Sequence, residues 1–303
     1  MFTGIKDTEN RLRESDYICS SEIATVVFLS ARTNKPILVE GPAGVGKTEL
    51  AKAIAKCLGR EIIRLQCYEG LDEAKALYEW EYAKQLLYTQ MMKEKIDEVI
   101  DKAASLSEAA DRIADQEDAF FSERFIQPRP LLRAISADDP VVLLVDEVDK
   151  SDPEFEAFLL EILSDFQISI PEIGTQKATH IPFVILTSNN FRDMSDALKR
   201  RCLHLYIDYP SMELESQIVL LKIPGIRQRL VDQIITSIQA IRSIDLKKKP
   251  AISETLDWAQ ALMALQVEDL SREVILHTLN VILKHRSDAD MVKTQLSQIA
   301  PKI

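Results

Sequence analysis

The chain has 303 residues, with 48 Asp and Glu against 37 Lys and Arg, so its net charge at neutral pH is −11. This acidic balance argues against a broad electrostatic interaction with nucleic acid or with an anionic membrane. The four cysteines form no Cys-x-x-Cys pair, and the N-terminus has no apolar signal core. We therefore expect a cytoplasmic protein without a membrane span, and we do not expect nucleic acid as its partner.

Short apolar segments alternate with helical patterns along the first 210 residues. Strands are predicted over 35–40, 61–66, 140–145, 183–187 and 203–207. The segment 140–145 is apolar throughout after its proline, as a central strand of a parallel sheet should be. Alternating strands and helices predict an α/β fold with helices on both faces of a parallel sheet.

The helix predicted over 47–58 has a clear apolar face and a clear stop. Leu50, Ile54 and Leu58 recur at intervals of four residues and so lie on one side of the helix. Gly59 follows and is the residue type that most often ends a helix.

Three later segments have weaker signals. The composition of 71–125 is typical of helix, and the alternation over 167–181 predicts a hairpin. Ser151 and Glu154 have the spacing of a capping box at the start of a helix. Strand signals stop near residue 210, which predicts two domains, an α/β core over 1–210 and an all-helical domain over 211–303.

Residues 41–48 match the phosphate-loop pattern G-x-x-x-x-G-K-[ST] in full. The candidate ligand-binding residues of this loop are Gly41, Pro42, Ala43, Gly44, Val45, Gly46, Lys47 and Thr48. Glycines let backbone N–H groups surround phosphate oxygens, and the following helix directs the positive end of its dipole at the same anion. Lys47 is placed to neutralise the phosphates and Thr48 to ligate Mg²⁺.

Polar residues follow two further predicted strands. Asp146 and Glu147 leave the strand 140–145, where Asp146 is a candidate Mg²⁺ ligand and Glu147 a candidate base for an attacking water. Asn189 follows the strand 183–187 and is placed to orient that water or to contact the γ-phosphate. Arg200 and Arg201 precede the last strand, where they are either solvated charges or ligands of a phosphate held by a neighbouring subunit.

With these elements in order, the chain resembles the MoxR family of AAA+ ATPases, and it looks closest to the branch associated with carbon monoxide dehydrogenase maturation. The resemblance covers nearly the whole chain and rests on residues 39–49, 144–149, 156–161, 186–189, 197–202 and 254–259. It implies a P-loop NTPase αβα core with a five-stranded sheet ordered 5-1-4-3-2, a helical lid, ATP and Mg²⁺ as cofactors, and a ring, usually a hexamer, with ATP between subunits.

The resemblance also implies individual roles. It assigns Lys47 and Thr48 to Walker A, Asp146 and Glu147 to Walker B, Asn189 to sensor 1, Arg201 to the arginine finger with Arg200 as second choice, and Tyr17 and Ile18 to the adenine pocket. One departure is that the lid helix opens without the usual sensor 2 arginine. Lys248 and Lys249 precede it, either as substitutes or as a solvated lysine run.

Two functions follow from this resemblance. The first is an ATP-hydrolysing, ring-forming remodeller of a client protein, with a metalloenzyme under maturation as the candidate client. The alternative is a nucleotide-switched scaffold that binds a von Willebrand factor A-domain partner, with slow and incidental hydrolysis. A nucleic-acid motor is disfavoured by the acidic charge.

Overall fold

The computed structural model describes residues 2–93, 105, 122–171 and 173–295. Five parallel strands form the central sheet in the order β2-β5-β8-β1-β9, which is the order that the resemblance implies. These strands are β1 (Ile37–Glu40), β2 (Ile62–Gln66), β5 (Val142–Asp146), β8 (Phe183–Ser188) and β9 (Leu203–Tyr206). Every residue of β5 and β8 is buried, as expected for the centre of a sheet covered on both faces.

Helices cover both faces of this sheet, which confirms the predicted α/β architecture. They include α1 (Ile5–Glu14), α2 (Ser21–Thr33), α3 (Lys47–Leu58), α6 (Pro130–Ile135), α7 (Pro153–Asp165) and α8 (Asp196–Arg201). One apolar cluster joins α1, α2 and α3 to one face through side chains such as Leu12, Val27 and Leu50. A second cluster joins α6 and α7 to the other face through Leu131 and Leu159.

The segment 71–125 is not the continuous helix that its composition predicts. The described part of this segment includes the α-helices α4 (Glu73–Leu77) and α5 (Tyr82–Met91), separated by the strand β3 (Tyr78–Trp80). Strand β3 pairs antiparallel with β4 (Ile126–Pro128), about 50 residues further along the chain. Propensity over a short window does not reveal such a distant pairing, and residues 94–104 and 106–121 of the predicted stretch lie outside the described residues.

The predicted hairpin is present as an antiparallel pair, β6 (Gln167–Ile170) and β7 (Gly174–Lys177). It follows α7, whose predicted apolar face is buried at Phe155, Leu159 and Ile162. The capping box, however, does not form. The Ser151 hydroxyl donates instead to the Val148 carbonyl at 2.7 Å.

The C-terminal region is helical, as expected. Its helices are α9 (Met212–Lys222), α10 (Gln228–Arg242), α11 (Ile252–Ala264), α12 (Arg272–Ile282) and α13 (Arg286–Thr294). They share a separate apolar cluster around the fully buried Trp258. Within the described residues, no helix is long and apolar enough to cross a bilayer.

A buried ion pair ties three parts of this helical region together. The guanidinium of Arg242 donates to both carboxylate oxygens of Glu215 at 2.7 Å, and its Nε donates to the Pro250 carbonyl at 2.7 Å. Thr255 in α11 donates to the same Glu215 carboxylate at 2.6 Å. Because Arg242 also lies over the Tyr209 ring, the network links the start of α11 to the chain segment that leaves the sheet.

Candidate functional site

The loop between β1 and α3 has the geometry that the phosphate-loop pattern predicts. Gly41 and Gly44 have positive φ angles, and a Cβ at Gly41 would overlap the carbonyl oxygen of Ile207. A Cβ at Gly44 would overlap the hydroxyl of Ser253 at the start of α11. Glycine is therefore required at both positions, because the loop passes between the end of the sheet and the C-terminal helices.

Lys47 is buried beneath this loop with all three ammonium protons engaged. It donates to the carbonyls of Gly41 and Pro42 at 2.7 Å and to Oδ1 of Asn189 at 2.8 Å. Burial lowers the pKa of Lys47 to about 8, and the carboxylates of Asp149, Asp146 and Glu147 oppose the shift. A phosphate oxygen that reaches Lys47 must therefore replace one of these three acceptors.

Asp146 is the most heavily hydrogen-bonded carboxylate at this edge of the sheet. The hydroxyl of Thr48 donates to its two oxygens at 3.1 and 3.3 Å, and the hydroxyl of Thr187 donates to Oδ1 at 2.5 Å. Arg64 on β2 donates twice to Oδ2, from Nε at 3.0 Å and from Nη2 at 2.5 Å. Because its side chain is only 4% exposed, these donors take the place of the water that the buried carboxylate has lost.

Glu147 is held in a left-handed backbone conformation with φ of +57°. A conformation of this kind costs a non-glycine residue roughly 1–2 kcal/mol. Its backbone N–H donates to the Thr187 hydroxyl at 2.9 Å, while Asn189 Nδ2 donates to Oε1 at 3.0 Å and Gln66 Nε2 to Oε2 at 2.9 Å. Lys150 pairs with Oε2 at 2.6 Å, and this hydrogen bond raises the pKa of Lys150.

Asn189 thus connects the two central groups of the site. Its amide oxygen accepts from the Lys47 ammonium, and its amide nitrogen donates to the Glu147 carboxylate. An ammonium can only donate and a carboxylate can only accept, so this pair of contacts defines the orientation of the amide. The geometry brings the residues predicted after three different strands to one point.

Tyr17 and Ile18 line a separate cavity of about 110 Å³ beside the phosphate loop. The cavity is otherwise bordered by Val45 and Gly46 of the loop, by Ile207 at the end of β9, and by apolar side chains of α9 and α11 such as Leu214 and Ile252. It therefore lies where the sheet meets the C-terminal helices, and it is lined by the two residues that the family resemblance assigns to an adenine pocket.

Arg200 and Arg201 are exposed at the end of α8. Arg201 donates from Nε to the Ser164 hydroxyl at 2.6 Å and from Nη1 to the Ala197 carbonyl at 3.4 Å. These contacts lie along α7 and α8, so the structure does not bring the two arginines to Lys47 and Glu147 of the same chain. Their exposure is compatible with either sequence-based interpretation.

The start of α11 lies directly on the phosphate loop. The backbone N–H of Ser253 donates to the Gly44 carbonyl at 3.2 Å. Glu254 accepts from the Ala251 N–H at 3.0 Å, and its other oxygen is 3.8 Å from the Lys248 ammonium. Lys248 thus borders the loop through Glu254, and Lys249 is exposed.

Four residues of this site were not singled out from the sequence: Arg64, Gln66, Asp149 and Thr187. Arg64 and Gln66 occupy alternate positions on β2, so both side chains lie on one face beside β5. The sequence signal for Arg64 and Gln66 was the presence of polar residues at the end of a buried strand. This signal points to the site only when the strand order is known, because that order places β2 next to β5.

The residues present fit a magnesium ion. Mg²⁺ takes oxygen ligands, and it is commonly held by one or two protein groups together with substrate phosphates. The Thr48 hydroxyl and the Asp146 carboxylate supply such oxygens within 3.3 Å of each other. Among the described residues there is no cluster of three or more His, Cys, Asp or Glu that could hold a metal ion.

Comparison with known families defines the class of protein. The family model described as "ATPase family associated with various cellular activities (AAA)" matches residues 37–209, which is more than half of the chain. The matched region extends from β1 to just beyond β9 and so includes the phosphate loop and all five sheet strands. The protein belongs to the AAA family, and P-loop nucleotide binding is the property that this family and the loop geometry share.

Two further comparisons are more limited. Lon proteases of Nitratidesulfovibrio vulgaris and Rhizobium meliloti are each 49% identical over 55 residues, which is 18% of this chain and 7% of either protease. The RuvB Holliday junction branch migration motor of Thermotoga maritima has 15% identity and a TM-score of 0.47 over 90% of this chain and 69% of its own. A putative ATPase of Cytophaga hutchinsonii has 17% identity and a TM-score of 0.43 over 78% and 65%. No activity follows from likeness at this level.

Above pH 8, we expect the protein to take up a proton when it binds nucleotide. In the free protein the pKa of Lys47 is about 8, so the neutral amine dominates as the pH rises further. A bound triphosphate favours the charged ammonium, so binding returns a proton to Lys47. Calorimetry of ATP binding at pH 8.5–9 in buffers of different ionisation enthalpy measures this uptake. Lys52→Met, which alters an exposed lysine of the same helix, should retain it, and a wild-type protein without uptake would contradict the expectation.

Proposed function

We propose that this protein hydrolyses ATP at the edge of the sheet where Lys47, Asp146, Glu147 and Asn189 meet. The observation that carries the proposal is the Asn189 amide, which bridges the Lys47 ammonium and the Glu147 carboxylate at 2.8 and 3.0 Å. The group that binds phosphate and the group that activates water must lie on opposite sides of the γ-phosphate. The Asn189 amide contacts both groups, so it defines the distance between them.

The chemistry required of the protein is positioning and charge neutralisation. The phosphate loop from Gly41 to Thr48 supplies backbone N–H groups, and Lys47 exchanges one carbonyl partner for a phosphate oxygen. Thr48 and Asp146 would hold Mg²⁺, which neutralises phosphate charge when it is bound. Glu147 accepts a proton from the attacking water, and Asn189 orients that water or contacts the γ-phosphate.

We propose a division into a nucleotide-binding core, residues 1–210, and a helical lid, residues 211–303. The support is the separate apolar cluster of the C-terminal helices and the contact of Ser253 with Gly44. In this arrangement Tyr17 and Ile18 contact the adenine at the junction of core and lid. Binding of a nucleotide to the phosphate loop would then move the lid.

We further propose a ring, in which Arg201 reaches the nucleotide of the neighbouring subunit. Arg201 is exposed at the end of α8. Within its own chain, its guanidinium contacts Ser164 and Ala197. An arginine placed in this way stabilises transition-state charge only across a subunit boundary. Arg200 is the second choice for the same role, and a hexamer is the ring size that the MoxR resemblance suggests.

For the biological role we propose a MoxR-type remodeller that uses ATP to act on a client protein, with a metalloenzyme under maturation as the candidate. The support is the resemblance in sequence, together with the contact of α11 on the phosphate loop, through which a bound nucleotide would affect the position of the helical region. The alternative is a nucleotide-switched scaffold for a von Willebrand factor A-domain partner.

Glu147→Gln is expected to keep ATP binding and to lower turnover by at least about tenfold. The amide retains the size of the side chain but does not accept the proton of the attacking water. Turnover by phosphate release and ATP affinity by calorimetry separate the two effects. Glu154→Gln is the matched control, because it neutralises an exposed glutamate of the next helix, and it should hydrolyse ATP normally. Unchanged turnover in Glu147→Gln would remove that residue from the base role.

Arg201→Ala is expected to bind ATP but to hydrolyse it poorly, whereas the neighbouring Arg200→Ala keeps most of the activity. Mixing inactive Arg201→Ala with inactive Glu147→Gln should restore hydrolysis. With random assortment in a ring, about a quarter of the boundaries combine an intact Glu147 with an intact Arg201. A mixture no more active than its components, or full activity of Arg201→Ala alone, would contradict the role across subunits.

A remodeller is expected to hydrolyse ATP faster when its client is present. The probes are any metalloenzyme and any von Willebrand factor A-domain protein that the neighbouring genes are found to encode, each added to the wild-type protein during steady-state turnover. A rise in turnover that Glu147→Gln does not show supports remodelling. Binding that differs between ATP and ADP without a change in turnover supports the scaffold instead.

A further inference from the structure

Asp149 is a buried carboxylate beside the proposed site with an unusual set of partners. Its side chain is in the short turn after β5, only 1% of the residue is exposed, and Oδ2 accepts two backbone N–H groups, from Asn189 at 3.0 Å and from Phe191 at 2.9 Å. Its other oxygen, Oδ1, is buried with no hydrogen-bond partner among the described residues.

The turn that Asp149 holds is shaped to receive an anion. Asn190 lies between the two donating residues and has a φ of +60°, so the N–H groups of Asn189 and Phe191 converge on one side of the chain. Backbone turns of this kind form concave sites for negative charge. Here the anion belongs to the protein itself, and it comes from the turn after β5, the strand next to β8.

The position of this turn decides where the Asn189 amide lies. The backbone N–H of Asn189 is bonded to Asp149, while its side chain bridges Lys47 and Glu147. A shift of about 1 Å in the backbone would break one of these two side-chain hydrogen bonds, because both are close to optimal length. The same loop is also held by the Asn190 N–H, which donates to the Ser188 hydroxyl at 3.1 Å, and by Arg192, which donates to the Ser151 carbonyl at 3.1 Å, but the carboxylate of Asp149 is the acceptor for the Asn189 N–H itself.

We propose that Asp149 is a positioning residue: its carboxylate holds the turn at Asn189 so that the Asn189 amide reaches Lys47 and Glu147 together. Asp149 acts through Asn189 and does not itself contact the nucleotide. The inference rests on the proposed ATP hydrolysis for its kinetic consequence, but its structural consequence is independent of turnover.

The test is a double-mutant cycle with Asp149→Ala, Asn189→Ala and the double variant. Asp149→Ala should lower kcat by about tenfold and change the KM for ATP by less than about threefold. In the Asn189→Ala background the same substitution should lower kcat by less than about threefold, because its effect is transmitted through a side chain that is already absent. Effects that multiply, or a loss in KM as large as the loss in kcat, would overturn the proposal.

Two further variants separate positioning from general stability. Asp149→Asn keeps one oxygen that accepts both N–H groups, and it should recover at least about threefold of the kcat lost in Asp149→Ala. Asp288 is the matched control, since it is equally buried and accepts the backbone N–H groups of Lys247 and Lys248 at 3.3 and 3.2 Å. Whatever the effect of Asp288→Ala on kcat by itself, its fold-change should multiply with the fold-change caused by Asn189→Ala in the double variant. Failure of Asp149→Asn to recover activity, or equal coupling of Asp288→Ala, would contradict the inference.

A crystal structure of Asp149→Ala tests the same point without any turnover. The Asn189 Nδ2 atom should lie beyond about 3.5 Å from Glu147 Oε1, or its Oδ1 beyond that distance from Lys47 Nζ. An unmoved amide would overturn the inference. If the wild-type protein hydrolyses no ATP, the proposed function fails, and this structure still decides the role of Asp149.

Discussion

The buried ammonium group of Lys47 is the constraint on which the arrangement of this site depends. A charge taken out of water is costly unless it is fully hydrogen-bonded, and Lys47 meets this requirement with three acceptors from two different loops. Two acceptors lie in the loop after β1, and the third is Asn189 after β8. The phosphate loop and the Asn189 turn must therefore keep their relative positions for the lysine to remain charged.

The charged side chains of the site are paired with one another. Asp146 is paired with Arg64, Glu147 with Lys150, and Lys47 lies among the carboxylates at the same edge. A triphosphate with its metal ion carries both signs of charge, so in the proposed function its groups would exchange with these internal partners. In the proposed function, this exchange would involve loops after three different strands, and the contact of Ser253 with Gly44 would extend it to the helical region.

Local sequence signals predicted much of the fold, and they pointed to candidate site residues that the structure places at one edge of the sheet. The helix 47–58 was correct because its apolar face and its terminal glycine act within one helix, and it ends at Gly59 in a left-handed conformation. The capping box at Ser151 was wrong, because the hydroxyl found the nearer carbonyl of Val148. The strand β3 was missed, because its partner β4 lies far away in the sequence and a propensity window does not include it.

The sequence by itself determined the chemistry that is available: a glycine-rich loop, a lysine, an acidic pair and an amide, each placed at the end of an apolar strand. Those positions follow from the alternation of buried strands and helices, which is a property of neighbouring residues. Only the tertiary structure decided the partners, namely Arg64 on Asp146, Gln66 on Glu147 and Asp149 on the turn at Asn189. The reason is that these contacts join strands adjacent in the sheet but distant in the chain, so no local pattern encodes them.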